Sequence, residues 1–256
     1  AETVIVDLRS MEEFRSLPAD VDLVIHCAAN ARVYGLVVDP ELPMDNILTT
    51  KNVMEYMRRN NVPRIIFASS REVYGSATDD SPISEQMVDL TRCESPYAAS
   101  KIAGESLVSS YSRAYGMKFV ILRLSNVYGR YDDSNRVVPT WIQNALTGAP
   151  LTVFGPEKRL DFTYLNDVVK GISRVVETFE NINGRSVNIS SGSSESLLSV
   201  ARMVREFIDS SSKIEVRETR KGEITNYTAD LSTARRLLNY DPVFDIKTGL
   251  RETIKW

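Results

Sequence analysis

Histidine and cysteine are scarce. One histidine, His26, and two cysteines, Cys27 and Cys93, occur in 256 residues. No Cys-x-x-Cys pair exists, so a structural zinc site is not expected and no metal site is assigned. Two cysteines this far apart do not make a disulfide framework, which points to a reducing compartment. A basic surplus is missing as well. The net charge is −3 and the isoelectric point about 5.5, so little is available to neutralise a phosphate backbone, and nucleic acid is not an expected partner. No apolar run approaches the length of a membrane span, and no basic stretch leads into an apolar one as in an export signal. These absences leave a soluble, cytoplasmic α/β protein as the expectation. With 43% hydrophobic residues, the chain can bury one large core, or a core plus a lobe.

What is present centres on Ser95-Pro96-Tyr97-Ala98-Ala99-Ser100-Lys101. The pattern predicts a helix start, with Ser95 as the cap and Pro96 at the first helical position, where no N–H is needed. Tyr97 and Lys101 then share one face. A free phenol loses its proton only near pH 10, but a neighbouring ammonium favours the phenolate and lowers that value. The pair can therefore do acid–base chemistry. Taken alone, a Tyr-x-x-x-Lys spacing is common on solvated helices, and its company decides its meaning.

Along the chain, Thr3 to Leu8 reads as a buried strand and Ser10 to Leu17 as a short amphipathic helix. Val21 to Ala29 is a second apolar run ending in small residues. Met44 to Asn60 has helical spacing. Arg64 to Ser70 is a strand with hydroxyls at its carboxyl end, Tyr97 to Tyr115 a helix and Lys118 to Arg123 a strand. Strands alternating with helices predict a parallel sheet covered on both faces. In such a sheet ligands sit at the carboxyl ends of the strands, where Asp7, His26 to Ala29, Ser69, Ser70 and Asn126 fall. Further helices are expected over Trp141 to Thr147, from Asn166 with Val168, Ile172, Val175, Val176 and Phe179 on one face, and around Leu197 to Ile208. Strands are expected at Leu151 to Phe154, at Ser186 to Ser190 and after Lys213. His26 reads as a buried, hydrogen-bonded core imidazole.

Five stretches carry a resemblance: Val24 to Ala29, Phe67-Ala68-Ser69-Ser70-Arg71-Glu72-Val73-Tyr74-Gly75, Ser95 to Lys101, Leu122 to Gly129, and Asp161-Phe162-Thr163-Tyr164-Leu165-Asn166-Asp167. Arg220 to Glu223 and Gly249 to Trp256 also fit. In this order and spacing the chain resembles the extended short-chain dehydrogenase/reductases, in their nucleotide-sugar epimerase/dehydratase branch, and most closely the UDP-glucose 4-epimerase group. The resemblance implies a Rossmann-like, doubly wound, mostly parallel α/β sheet with a smaller carboxyl-terminal substrate lobe. Residues 1–130, rejoined by 161–191, would form the dinucleotide-binding core, and 131–160 with 192–256 the lobe. The family's opening strand and Gly-x-x-Gly-x-x-Gly turn, which lets backbone approach a pyrophosphate, is not in this sequence. Three explanations fit: a piece of a longer chain, strands supplied by another protomer, or re-pairing of the Val4 run beside Val21 to Cys27. Truncation with some such re-pairing is the expectation, and NAD binding is conditional on it.

The resemblance also assigns roles. Tyr97 is the general base, Lys101 steadies its charge and binds the nicotinamide ribose, and Ser70 hydrogen-bonds the reacting oxygen. The sugar passes hydride transiently to NAD, becomes a 4-keto sugar, turns over and takes the hydride back. Asp7, Leu8, Cys27, Ala28, Ala29, Ser69, Tyr97 and Lys101 fall on the NAD side, with Asn46 as a support beside the active-site strand. Asn126 resembles a diphosphate ligand, and Val137, Thr152 and Phe154 a nucleoside cradle. Arg220 resembles a phosphate-binding arginine, Glu223 a ribose-binding acid, and Tyr227 a residue that limits room beside the sugar's 2-substituent. Leu160 stands where the family usually has an arginine, so either Arg159 substitutes from a shifted backbone or diphosphate binding is weaker. Glu72 matches a glutamate of related dehydratases and UDP-glucuronate decarboxylases, but Arg71 replaces the aspartate that dehydratases carry just before it. The expected activity is nucleotide-sugar 4-epimerisation. A non-catalytic nucleotide-sugar-binding remnant without NAD, and a decarboxylase or dehydratase, remain open. A homodimer through helices 44–60 and 97–115 is implied.

Overall fold

The computed structural model describes residues 2–256. The chain runs through β1 (Val24–His26), α1 (Val33–Val38), α2 (Glu41–Arg59), β2 (Arg64–Ser70), α3 (Pro96–Tyr115) and β3 (Lys118–Leu124). It continues with β4 (Asn126–Tyr128), α4 (Val137–Thr147), β5 (Leu151–Phe154), β6 (Arg159–Tyr164), α5 (Leu165–Glu177), α6 (Phe179–Ile182) and β7 (Arg185–Ile189). It ends with β8 (Ser194–Ser196), α7 (Leu197–Phe207), β9 (Ile214–Arg217), β10 (Asn226–Tyr227), α8 (Ser232–Leu238) and α9 (Ile246–Lys255).

The central sheet is parallel, in the order β1-β2-β3-β7. Apolar β2 sits inside it because both its faces find a core. Ile65 and Phe67 pack with Val53, Met54 and Met57 of α2 and Val108 of α3. Ile66, one residue out of phase, joins Val120, Leu122, Val187 and Ile189 on the opposite face, as the period-2 pleat requires. That second core continues into a β4-β6-β10 sheet, with β8 antiparallel on β6, and a parallel β5-β9 pair. Trp141 of α4 is buried there, its indole N–H donating to the Thr152 carbonyl at 2.9 Å. No helix among the described residues is long and apolar enough to cross a membrane.

Several expectations are corrected. Thr3 to Leu8 is not a strand. Ile5 is 94% exposed, and no described residue pairs with the outer edge of β1, so the Val4 run has not re-paired beside Val21 to Cys27. Three apolar residues without a neighbouring strand bury too little to offset ordering them. Of Ser10 to Leu17, only a single 3-10 turn forms, Glu13–Ser16, which buries Phe14. The Val21 to Ala29 run contracts to the three residues of β1. On α5, Val168 and Val175 face the core but Val176 is exposed. Helix α1 and strands β4, β6, β8 and β10 were not anticipated as elements.

Candidate active site

β2 ends in the hydroxyls that matter. Ser70 leaves the strand and accepts the Glu72 N–H at 3.2 Å, capping a 3-10 turn over Arg71–Tyr74. Gly75 closes that turn at φ 69°, where a side chain would also strike the Arg92 carbonyl. Opposite, Ser95 accepts the Ala98 N–H at 3.1 Å and Pro96 opens α3, as the cap and first-turn rules require. Gly104, one turn past Lys101, lets α3 lie against β2: a Cβ there would come within 2.5 Å of the Phe67 ring. That close approach lets the Lys101 ammonium reach the Ala68 carbonyl at 2.8 Å. Tyr97 and Lys101 are both buried.

Burial pushes the Tyr97 phenol up to about 12. The Ser70 hydroxyl opposes that shift, Glu72 adds to it, and Arg136 and Arg71 oppose it. The expectation that Lys101 acidifies this phenol is not met in this state. Its ammonium lies 5.9 Å from the Tyr97 ring centroid and is held by the Ala68 carbonyl. Lys101 is itself lowered to about 8 by burial.

Ser70, Glu72 and Tyr97 open onto a cavity of about 680 Å³. Asn126, Val137, Thr152, Phe154, Arg220 and Glu223 line its remaining length, so nearly all the expected substrate residues share one space. Two do not. Arg159 points out of β6, exposed, and donates to the Ser194 carbonyl at 3.1 Å. Lys158, just before the strand, turns inward instead, buried, with Nζ 2.5 Å from a Glu223 carboxylate oxygen. Tyr227 lies beneath the wall, fully buried, stacked on Tyr74 at 5.9 Å with the Arg71 guanidinium over its ring.

Arg32, Arg71, Asp132, Arg136 and Lys158 line the same cavity and were not among the expected substrate residues. Arg32, Arg71, Arg136, Lys158 and Arg220 supply five cationic groups, against three carboxylates from Glu72, Asp132 and Glu223. The surplus of two positive charges suits an anion of that size. The Arg220 guanidinium stacks 3.7 Å from the Phe154 ring centroid and 5.2 Å from that of Tyr34. The inward turn of Lys158 could not be read from spacing, because it precedes the strand whose alternation would have revealed it. Asp161 proves structural. It is buried and gathers the Ser191, Gly192 and Ala229 N–H groups.

The expected cofactor residues divide. Asp7, Leu8, Ala28, Ala29 and Asn46 line a second hollow of about 380 Å³ at the carboxyl end of β1, with exposed Cys27 beside it. Asn46 accepts the Asn30 N–H at 2.7 Å and donates to the Ser100 hydroxyl at 3.1 Å, tying that hollow to α3. Ser69 lines neither space. It is buried, and its hydroxyl donates to Glu105 at 2.5 Å. His26 is buried as anticipated, 3.2 Å from the Thr50 hydroxyl.

A family model described as "NAD dependent epimerase/dehydratase family" matches residues 1–190. The chain belongs to that family.

Within the epimerase/dehydratase family, it is 31% identical to a putative UDP-glucose 4-epimerase of Methanocaldococcus jannaschii, over all of this chain and 84% of that one. Among solved structures, a Thermus thermophilus UDP-glucose 4-epimerase in complex with NAD superposes with TM-score 0.89 at 28% identity, covering 98% of this chain and 82% of that one. A Bacillus cereus UDP-glucuronic acid 4-epimerase, in complex with UDP-glucuronic acid and NAD, gives 0.87 at 28% identity, covering 98% and 77%. A dTDP-glucose 4,6-dehydratase is also among the relatives. The residues present fit one end of the family's NAD. Ala28 and Ala29 leave open space at the end of β1, and Tyr97 and Lys101 stand at the neighbouring strand end. No described residue supplies the Gly-rich turn at the pyrophosphate end.

Proposed function

We propose that this chain is a nucleotide-sugar 4-epimerase of the UDP-glucose/UDP-galactose kind, working with NAD and as a homodimer through α2 and α3. One observation carries the reading. A hydroxyl–phenol pair, Ser70 and Tyr97, sits on the wall of a single cavity whose other parts are cationic and aromatic. The cationic surplus complements a diphosphate, and Phe154 with Arg220 offers planar surfaces for a nucleobase.

In its ionised form Tyr97 would take the proton from the hydroxyl on the reacting sugar carbon and later return it. Ser70 orients that oxygen. Lys101, held on the Ala68 carbonyl 5.9 Å from the Tyr97 ring centroid, would have to turn toward the phenol to steady its charge. Ala28, Ala29, Tyr97 and Lys101 would hold the nicotinamide end of NAD. When bound, NAD supplies reversible oxidation of the sugar carbon. Glu72 supports a second reading. It is buried, and its charge bears on Tyr97, so elimination or decarboxylation is the rival chemistry. A cavity that binds the nucleotide sugar without turnover is the non-catalytic alternative.

The test incubates the full chain with NAD and UDP-galactose and follows the products by mass spectrometry and chromatography. UDP-glucose of unchanged mass is expected. Tyr97→Phe should cut turnover by roughly 10²–10⁴-fold, with UDP affinity preserved. Loss of water or carbon dioxide from a nucleotide sugar would favour the rival chemistry. UDP binding with no product would leave a binding protein.

A further inference from the structure

Tyr97, Lys101 and Glu105 follow one another at four-residue steps along α3, so they form one row on the helix surface. The row meets the last three residues of β2. Tyr97 faces the Ser70 hydroxyl, the Lys101 ammonium donates to the Ala68 carbonyl at 2.8 Å, and Glu105 accepts from the Ser69 hydroxyl at 2.5 Å. Glu105 also reaches the next strand. Arg123 of β3 is the register partner of Ser69. Its guanidinium donates to the Glu105 carboxylate through Nε at 2.9 Å and Nη2 at 2.7 Å. One carboxylate therefore ties α3 to β2 and β3 at a single cross-strand pair. The far side of Arg123 is fixed as well, Nη1 donating to the Glu85 carbonyl at 2.7 Å and the Tyr74 hydroxyl at 3.1 Å.

Arg123 is buried and Glu105 largely so. A buried ion pair is a poor device for stability alone, because a well-packed apolar pair of similar volume serves as well. The charge finds a use one turn back along the helix. Burial lowers Lys101 from the ordinary 10.5 to about 8. Four titratable groups face its ammonium: His26 and Cys27 from the end of β1, and Tyr97 and Glu105 from α3 itself. β2 offers it the Ala68 carbonyl and, at 5.2 Å, the Phe67 ring. Burial keeps His26 neutral, Cys27 a thiol and Tyr97 a phenol near pH 7. Among the described residues, Glu105 is then the one full negative charge acting on Lys101.

Resting on the epimerase reading, we infer that Glu105 is a positioning residue for the reaction. It holds the Tyr97–Lys101 row of α3 in register with the end of β2, and it supplies the counter-charge that keeps Lys101 an ammonium. Ser69 lines neither cavity. Its place between Ala68 and Ser70 lets one hydrogen bond to Glu105 bring into line the two strand positions that Lys101 and Tyr97 meet.

The test follows the Lys101 ammonium directly. The full chain is labelled with carbon-13 at the lysine ε-carbon and titrated by NMR, the Lys101 signal being the one that Lys101→Met removes. In Glu105→Gln, which keeps the shape and removes the charge, the Lys101 midpoint should fall by roughly half a pH unit or more. Turnover of UDP-galactose with NAD should fall about tenfold or more. KM should hold, because neither Glu105 nor Arg123 lines the cavity. Glu105→Gln strands the Arg123 charge, so the Glu105→Gln/Arg123→Gln protein is measured beside it. That protein buries no lone charge and keeps the fold where the single variant loses it. Its Lys101 midpoint should be lowered as well. A wild-type midpoint and turnover in the double variant would reduce Glu105 to a structural tie and overturn the inference. An unchanged midpoint in the folded single variant would do the same, as would full turnover beside a lowered midpoint. A wild-type chain that does not turn over UDP-galactose would sink the epimerase reading, while the titration would still decide whether Glu105 keeps Lys101 charged.

Discussion

His26 shows how one buried side chain couples stability to pH. Burial first, and the Lys101 charge second, hold its imidazole down at about 4. In the unfolded chain it would take up a proton near pH 6.5. Between those values the unfolded state binds the extra proton, so stability rises with pH across the window. The contribution is complete above about pH 6.5 and is lost as pH falls toward about 4. By about pH 5 the loss is roughly 2 kcal/mol. The Thr50 hydroxyl donates to the Asn46 carbonyl at 2.9 Å, so it is free to accept from His26 Nε2–H, which places the neutral ring's proton on Nε2. His26→Gln keeps a donor there and removes the titration. Urea melts from about pH 7 down to about 5 should show the wild-type protein losing roughly 2 kcal/mol more than the variant. Parallel pH profiles would sink the assignment. Single residues also mark where sequence reading fails. Tyr97, Ser70 and Glu72 were legible because short local patterns place them at strand and helix ends. Arg159 was not, since its direction depends on where β6 begins. Lys158, one residue earlier, turns into the cavity in its place.

Elements were legible in proportion to how fully they are buried and capped. β2, β3 and α3 fall within a residue of their expected bounds. Their apolar runs meet cores on both sides, and Ser95-Pro96 marks the helix start. The Val4 run failed because a strand's stability lies in its neighbour, which local sequence does not show. α1 failed for a related reason. It is a short helix with a single buried residue, Leu36, held by packing rather than by its own pattern. The closeness of α3 to β2 was equally hidden, yet it aligns the site. Gly104→Ala would push a methyl into the Phe67 ring, which should cost about 1–3 kcal/mol and lower turnover by displacing Lys101 from the Ala68 carbonyl. Phe67→Leu makes room. The Gly104→Ala/Phe67→Leu protein should therefore lose less stability in denaturant melts than the two single losses added together. Strict additivity would mean that the ring is not what Gly104 avoids.

At the scale of the whole molecule, the active-site elements also carry the surface proposed for self-association. α2 and α3 pack on one face of the central sheet and touch each other, with the Tyr111 hydroxyl donating to Glu55 at 2.8 Å. The inner side of α2 is buried through Val53, Met54 and Met57. Its outer side keeps Met44 and Leu48 exposed at 57% and 41%, one turn apart. Apolar side chains in that position suit a two-fold contact, in which the same patch meets its own copy. A carboxylate at the middle of such a contact would face its symmetry mate without a counter-charge. Light scattering of the wild-type chain should return about twice the 28.8 kDa chain mass, and Leu48→Glu should return the single-chain mass. Leu48 is already exposed in the single chain, so the substitution should leave the fold unchanged by circular dichroism. A wild-type protein that scatters as one chain at micromolar concentration would remove α2 and α3 as the association surface. The reading of Ser70, Tyr97 and Lys101 would stand, because every contact that holds them comes from within one chain.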